Sequence, residues 1–101
     1  MEAMDLYSKD IVSVEAMAMQ GSGREMKGID AVKEKGKWWT ENHEVHSANA
    51  EGPLVAGNHF CVRFKMDVTN KPSGKRMQMD EQAVYQVADG KVLREEFFYQ
   101  A

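Results

Sequence analysis

The sequence has a single cysteine and two prolines among its 101 residues. The lone thiol, Cys61, excludes an intramolecular disulfide and a cysteine-rich zinc site. No apolar run approaches the roughly 18 residues that a membrane span needs. The first residues also lack the basic segment and apolar core of a signal peptide. These absences predict a cytoplasmic protein with no membrane partner.

An excess of basic charge is missing as well. The 13 Lys and Arg residues are outnumbered by 16 Asp and Glu residues, which gives a net charge of −3. A dedicated nucleic-acid binder needs a basic surface, so we expect no nucleic-acid partner. The chain is 43% hydrophobic and 29% charged, as is usual for a globular protein. Its length predicts one domain over residues 1–101, because two cores would each be too small to fold alone.

The first half of the chain predicts one clear helix. Spacings of three and four indicate the end of a helix at residues 2–9, and β-branched residues indicate a strand at 11–15. Glycines predict a loop at 17–28. Apolar residues then recur on one helical stripe over residues 29–41. This stripe consists of Ile29, Val32, Gly36 and Trp39.

The second half alternates apolar and polar residues, which is typical of strands. We predict strands at 44–51, 60–68, 77–87 and 92–99, with a hairpin turn at Asp89-Gly90. This order predicts an α+β fold with an antiparallel sheet. Phe97 and Phe98 point to opposite faces, so the last strand is predicted to be central and covered on both sides. One helix cannot cover such a sheet, which leaves either a second subunit or a further helix to do so.

Several segments together resemble the SnoaL-like polyketide cyclase branch of the nuclear transport factor 2-like (NTF2-like) superfamily. They are residues 6–15 (LYSKDIVSVE), 28–32 (GIDAV), Trp38-Trp39, 62–64 (VRF), 79–81 (MDE), 89–92 (DGKV) and 97–99 (FFY). The resemblance covers nearly the whole chain. It implies a cone formed by a curved, mostly antiparallel sheet packed against one or two helices. Members usually begin with a long helix, and the sequence given starts after the position of that helix.

The resemblance implies a small-molecule-binding domain with an apolar cavity, without a metal or another cofactor. One alternative is an isomerase or cyclase that acts on a cyclic ketone-like substrate. Another is a non-catalytic module for dimerisation or interaction. Such different functions share this fold, so the site has to decide among them.

Three catalytic candidates follow from aligning the chain with the steroid-isomerase branch. Glu15 falls at the position of the general base, where an apolar cavity would raise the basicity of a carboxylate. Gln82 falls at the oxyanion-stabilising position, and Asp80 lies two residues earlier on the same face. The alternative for Glu15 is a carboxylate at an exposed strand end. A Glu15→Gln variant that turns over substrate as well as the wild type would refute the catalytic role.

Five further side chains are candidates for contact with a ligand, and each has a simpler alternative. Tyr99 and Phe97 fall at aromatic positions of the cavity. Trp38 lines the cavity mouth or packs in the core, and His46 donates a hydrogen bond or shuttles a proton in the cavity. Arg63 binds an anionic substrate or pairs with surface charges.

The strand at 77–87 gives two conflicting predictions. Its amphipathic pattern buries Met77, Met79 and Tyr85 and exposes Asp80 and Gln82. The resemblance instead directs Asp80 and Gln82 into the cone. Both hold if the methionine and tyrosine face packs against a second copy, so we expect a homodimer formed through the sheet face.

Overall fold

A computed structural model describes residues 6–19 and 23–99, with the side chains of residues 18 and 19 left out. Six strands form one sheet in the order β2-β1-β6-β5-β4-β3, and one helix packs on it. In chain order the elements are β1 Tyr7–Met19, β2 Gly23–Lys27, α1 Ile29–Asn42, β3 His43–Ala56, β4 His59–Asn70, β5 Lys75–Ala88 and β6 Lys91–Phe98. The predicted α+β fold with a curved, mostly antiparallel sheet is confirmed.

The N-terminal prediction needs correction. A strand begins at Tyr7, where residues 2–9 were expected to end a helix, and residues 2–5 lie outside the described part. The predicted loop at 17–28 contains the end of β1 and all of β2. β1 pairs antiparallel with β2 and parallel with β6. These pairings provide backbone hydrogen bonds that local residue preferences do not report, and they make the segment extended.

The remaining elements agree with the predicted pattern. α1 ends one residue beyond the predicted 29–41, and β6 lies in the middle of the sheet between β1 and β5. Asp89 and Gly90 have φ angles of 52° and 75°, as a tight hairpin turn between β5 and β6 requires. β3 continues past Gly52, where a strand end was predicted, through an irregularity in its pairing with β4. Gly52 is needed there because an added Cβ would lie 2.9 Å from the Cys61 carbonyl oxygen.

The core lies between α1 and the sheet. Ile11, Val32 and Val92 are buried together, with Tyr7 and Tyr85 packed against them. We call the sheet face that α1 covers the inner face, and the opposite one the outer face. In the described part of the chain, no helix is both long and apolar enough to cross a membrane.

Candidate functional site

The inner face carries a group of polar side chains close to the core. Strand alternation places Ser13 and Glu15 on the same face as Ile11. Ser13 is directly opposite Glu95 in the pairing of β1 with β6, and both side chains are buried. Phe97 follows Glu95 on that face. The neighbouring strands β1 and β6 therefore direct carboxyl, hydroxyl and aromatic groups toward the helix.

Lys35 brings a positive charge to this face from α1. It lies three residues after the buried Val32, so its side chain points toward the sheet. The Lys35 ammonium nitrogen is 3.0 Å from Glu15 Oε1, and it donates a hydrogen bond to the Ser13 hydroxyl. It also lies 4.9 Å from the centre of the Phe97 ring. Only 12% of the Lys35 side chain and 16% of the Glu15 side chain are exposed, so water screens this ion pair poorly.

Tyr99 holds the second oxygen of the same carboxylate. Its hydroxyl donates to Glu15 Oε2 at 3.2 Å. Burial, with the negative charge of Glu15, raises the pKa of Tyr99 to about 12. Tyr99 therefore stays a neutral donor, and Glu15 is oriented by one group on each oxygen.

Glu95 is the most deeply buried carboxyl group of this cluster, with 3% of the residue exposed. The Tyr7 hydroxyl donates to Glu95 Oε2 at 3.4 Å. Burial raises the pKa of Glu95, and the nearby Lys35 only partly opposes this effect. The pKa of Tyr7 is also raised, by burial and then by Glu95. Burial thus makes a protonated Glu95 carboxyl more accessible, whereas the hydrogen bond from Tyr7 opposes this effect.

Glu81 adds a third carboxyl group from β5. Burial and then the negative charge of Glu15 raise its pKa. Tyr85, four residues along the same strand, has its pKa raised to about 12 by burial and by Glu95 and Glu81. We call Ser13, Glu15, Lys35, Glu81, Glu95 and Tyr99 the inner cluster. Its chemistry combines one oriented carboxylate, one ammonium group and two carboxyl groups whose pKa burial raises.

Three of the predicted site residues meet in or beside the inner cluster. Glu15 and Tyr99 are hydrogen-bonded to each other, and Phe97 contacts Lys35 through its ring. Glu15 is not at an exposed strand end, because its side chain is mostly buried against Lys35. The structure therefore brings Glu15, Tyr99 and Phe97 together on the inner face, next to the helix.

Asp80, Gln82 and Arg63 lie on the outer face, which corrects the prediction that Asp80 and Gln82 point into the cone. Arg63 is directly opposite Gln82 in the pairing of β4 with β5. Two hydrogen bonds of 2.9 and 2.6 Å join Arg63 to Asp80. All three side chains line a shallow outer depression of about 630 Å³. The amphipathic pattern of the strand is correct, and the alignment is one residue out of phase at this position.

Trp38 and His46 also lie apart from the inner cluster. Trp38 is half exposed and meets the edge of the His43 ring. His46 is exposed on β3, where its Nε2 atom is 2.7 Å from the Thr69 hydroxyl oxygen. Among the described residues, no three His, Cys, Asp or Glu side chains are arranged to hold a metal ion.

Three residues of the inner cluster were not predicted as site residues: Lys35, Glu81 and Glu95. Each had a detectable signal. Lys35 borders the predicted apolar stripe of the helix, three residues after Val32. Glu81 is in phase with the apolar residues of its strand, and Glu95 is in phase with Phe97. A charged residue at an apolar position of an amphipathic pattern indicates a buried polar site.

The comparisons with known proteins agree with this fold. A family model described as a SnoaL-like domain matches residues 3–99. A Mesorhizobium loti protein that carries the names SnoaL-like polyketide cyclase and carbohydrate phosphatase is 44% identical, with a TM-score of 0.90 over 97% of this chain and 83% of that one. No curated protein matches significantly.

Two more distant structures share the fold alone. A Catenulispora acidiphila protein with a ketosteroid isomerase-like fold, solved with trimethylamine, has 14% identity and a TM-score of 0.77 over 96% of this chain and 72% of that one. TerC, co-crystallised with polyporic acid, has 18% identity and a TM-score of 0.77 over 96% and 75%. The family match, the 44% identical relative and the observed topology lead to one conclusion: this chain belongs to the SnoaL-like domain family.

Proposed function

We propose that this SnoaL-like domain binds a small, largely apolar carbonyl compound on its inner face and catalyses proton transfer on it. The reaction would be of the isomerase or polyketide-cyclase type and would use no cofactor. One observation carries the proposal: the Glu15 carboxylate is held by Lys35 at 3.0 Å and by Tyr99 at 3.2 Å, next to the core. A base in this position can be oriented precisely enough to remove a proton beside a carbonyl group.

The chemistry of the neighbouring groups supports this role. Abstraction of a proton by Glu15 leaves negative charge on the carbonyl oxygen as an enolate. Burial raises the pKa of Glu81 and of Glu95, which makes the neutral form of both more accessible and so weakens their repulsion of that charge. The proton on Glu15 then returns to another carbon of the ligand. Alternatively, the enolate carbon attacks a second carbonyl carbon of the same ligand, and the alkoxide oxygen that forms takes the proton from Glu15.

The fold relatives support a small organic ligand. TerC shares this fold and was co-crystallised with polyporic acid. The Mesorhizobium loti relative carries the names polyketide cyclase and carbohydrate phosphatase, and the first of these agrees with the proposal. Phe97 and Tyr99 would supply apolar contacts beside the base.

Deuterium exchange tests the proposal without knowledge of the natural substrate. The protein is incubated in D₂O with a cyclohexenone and with a tetralone, and exchange beside each carbonyl is followed by NMR. Glu15→Gln should abolish the protein-dependent exchange at a temperature where circular dichroism shows the variant to be folded. Asp80→Asn is the matched control, since Asp80 is an exposed carboxylate on the outer face. Equal exchange by the wild type and Glu15→Gln would refute the role of Glu15.

A homodimer formed through the sheet remains our proposal for assembly, although the face differs from the expected one. Tyr85 packs on the protein's own core, so the methionine and tyrosine face is the inner one. On the outer face, the Phe98 residue is 49% exposed and lines the depression shared with Asp80 and Gln82. An exposed aromatic residue on a central strand supports contact with a second copy.

Light scattering tests this assembly directly. Wild-type protein should elute with the mass of a dimer, and Phe98→Lys should elute as a monomer. Val45→Lys is a control, because Val45 is also an exposed apolar residue but lies on the edge strand β3. A monomeric wild type at high protein concentration would contradict the dimer.

We also propose the cytoplasm as the location of the protein. The unpaired Cys61 thiol supports this choice, because it gives the fold no dependence on an oxidising compartment. Cell fractionation with an antibody against the protein would test it.

A further inference from the structure

The proposed proton transfer still lacks a group that stabilises the oxyanion. Gln82 was predicted for this role, but its side chain lies on the outer face. The enolate oxygen needs a hydrogen-bond donor or a positive charge inside the site. The side chain that supplies a positive charge on the inner face is Lys35, which contacts Glu15, Ser13 and Phe97.

The negative charge that faces Lys35 moves from Glu15 to the ligand during the proposed reaction. Before proton transfer, the negative charge resides on Glu15, 3.0 Å from the Lys35 ammonium nitrogen. After transfer, Glu15 is neutral and the same charge resides on the enolate oxygen of the ligand. The ammonium group then loses its anionic partner on Glu15 and attracts the new anion instead. The attraction of Lys35 for the ligand oxygen is therefore stronger in the transition state than in the complex with the neutral ketone, and it replaces the attraction to Glu15 that is lost.

We propose that Lys35 is the oxyanion-stabilising catalytic residue of this domain. This inference rests on the proposed role of Glu15 as the base. The geometry is suitable because the oxygen of a ketone and the carbon that loses a proton are both bonded to the carbonyl carbon. A base and an ammonium group 3.0 Å apart can thus contact both at once.

Other titratable groups of the described residues also lie near Lys35. Glu81 on β5 and Glu95 on β6 are the remaining carboxyl groups of the inner cluster, and burial raises the pKa of both. Tyr7, Tyr85 and Tyr99 also have raised pKa values and stay neutral. When Glu81 and Glu95 are neutral, the ammonium charge is available to an anion on the ligand.

A phenolate provides a stable analogue of the enolate, and its binding tests the role of Lys35 apart from turnover. Glu15→Gln reproduces the neutral, protonated state of the base. We expect this variant to bind 4-nitrophenolate at least about tenfold more tightly than the wild type, as one charge-assisted hydrogen bond supplies. The probe's absorbance gives the Kd at a pH just above the pKa of the free phenol.

Removal of Lys35 should eliminate this gain. Glu15→Gln combined with Lys35→Met is expected to bind the phenolate about tenfold more weakly than Glu15→Gln alone. Both members of the ion pair are then neutral, so no unpaired buried charge disrupts the fold. The matched control combines Glu15→Gln with Lys33→Met, since Lys33 is exposed on the same helix. Equal affinity of the Lys35 and Lys33 double variants would overturn the proposal.

A second measurement observes Lys35 directly in a protein that retains this residue. In Glu15→Gln protein with ¹⁵N-labelled lysines, addition of 4-nitrophenolate should shift the side-chain nitrogen signal of Lys35, assigned from the spectrum of the Lys35→Arg form. Shifts confined to other lysines would refute the contact. Failure of the proposed function gives a different result. In that case Glu15→Gln would retain deuterium exchange, regardless of how tightly it binds the phenolate.

Discussion

The ammonium group of Lys35 on α1 and the carboxylate of Glu15 on β1 are 3.0 Å apart, and this ion pair joins the helix to the sheet. Tyr99, which directly follows β6, donates to the other Glu15 oxygen. The helix, β1 and the end of β6 therefore meet at a single carboxylate. The pair thus has a structural role in addition to the chemistry proposed for it.

Lys35→Met should destabilise the protein strongly. The substitution leaves the mostly buried Glu15 carboxylate without its cation, and such a loss costs about 3 kcal/mol. Urea denaturation at neutral pH gives the free energy of unfolding. Lys33→Met, on the exposed side of the helix, should change it by less than about 0.5 kcal/mol. Similar values for the two variants would show that the ion pair contributes little to the fold.

Glu95→Gln should make stability less dependent on pH. Burial raises the pKa of Glu95 in the folded state, so the folded protein binds a proton more tightly than the unfolded chain does. The favourable contribution is complete below the unfolded pKa of about 4.3 and is lost as pH rises through the raised folded pKa. Urea denaturation across this range should show a smaller fall in stability for Glu95→Gln. A steeper fall than that of the wild type would contradict the assignment.

Glu81 and Gln82 are adjacent on β5 but face opposite sides of the sheet, so their variants should differ. Ionised Glu81 repels the enolate that Glu15 would generate, and wild-type deuterium exchange should fall as pH rises through the raised pKa of Glu81. Glu81→Gln should extend exchange to higher pH. Gln82→Leu should leave the pH profile of the wild type unchanged, and a changed profile would place Gln82 in the site.

The three tyrosines should resist ionisation while the protein is folded. Burial raises the pKa of Tyr85 and Tyr99 to about 12, and it raises that of Tyr7 as well. Ultraviolet titration should therefore show no tyrosinate near the ordinary pKa of about 10. Ionisation should coincide with the loss of the circular dichroism signal. A tyrosine that titrates near pH 10 in folded protein would contradict the burial of that side chain.

Much of the fold could be predicted because its signals are local. The helix at 29–41 and the strands of the second half have strong periodicity, and the Asp89-Gly90 turn has few alternatives. The first strand was harder to predict. Residues 2–9 satisfy a helical spacing, but β1 begins at Tyr7, which pairs with Val92 on β6. That partner is distant along the chain, so no local pattern contains it.

The sequence by itself determined the fold family, the helix, the hairpins and the choice of Glu15 and Tyr99 as site residues. Only the tertiary structure decided which charged groups surround Glu15, because Lys35 comes from the helix and Glu81 and Glu95 come from two other strands. It also placed Asp80 and Gln82 on the outer face, since a shift of one residue along a strand reverses the direction of a side chain. Family resemblance aligns segments, whereas the chemistry of this site depends on the direction and burial of each side chain.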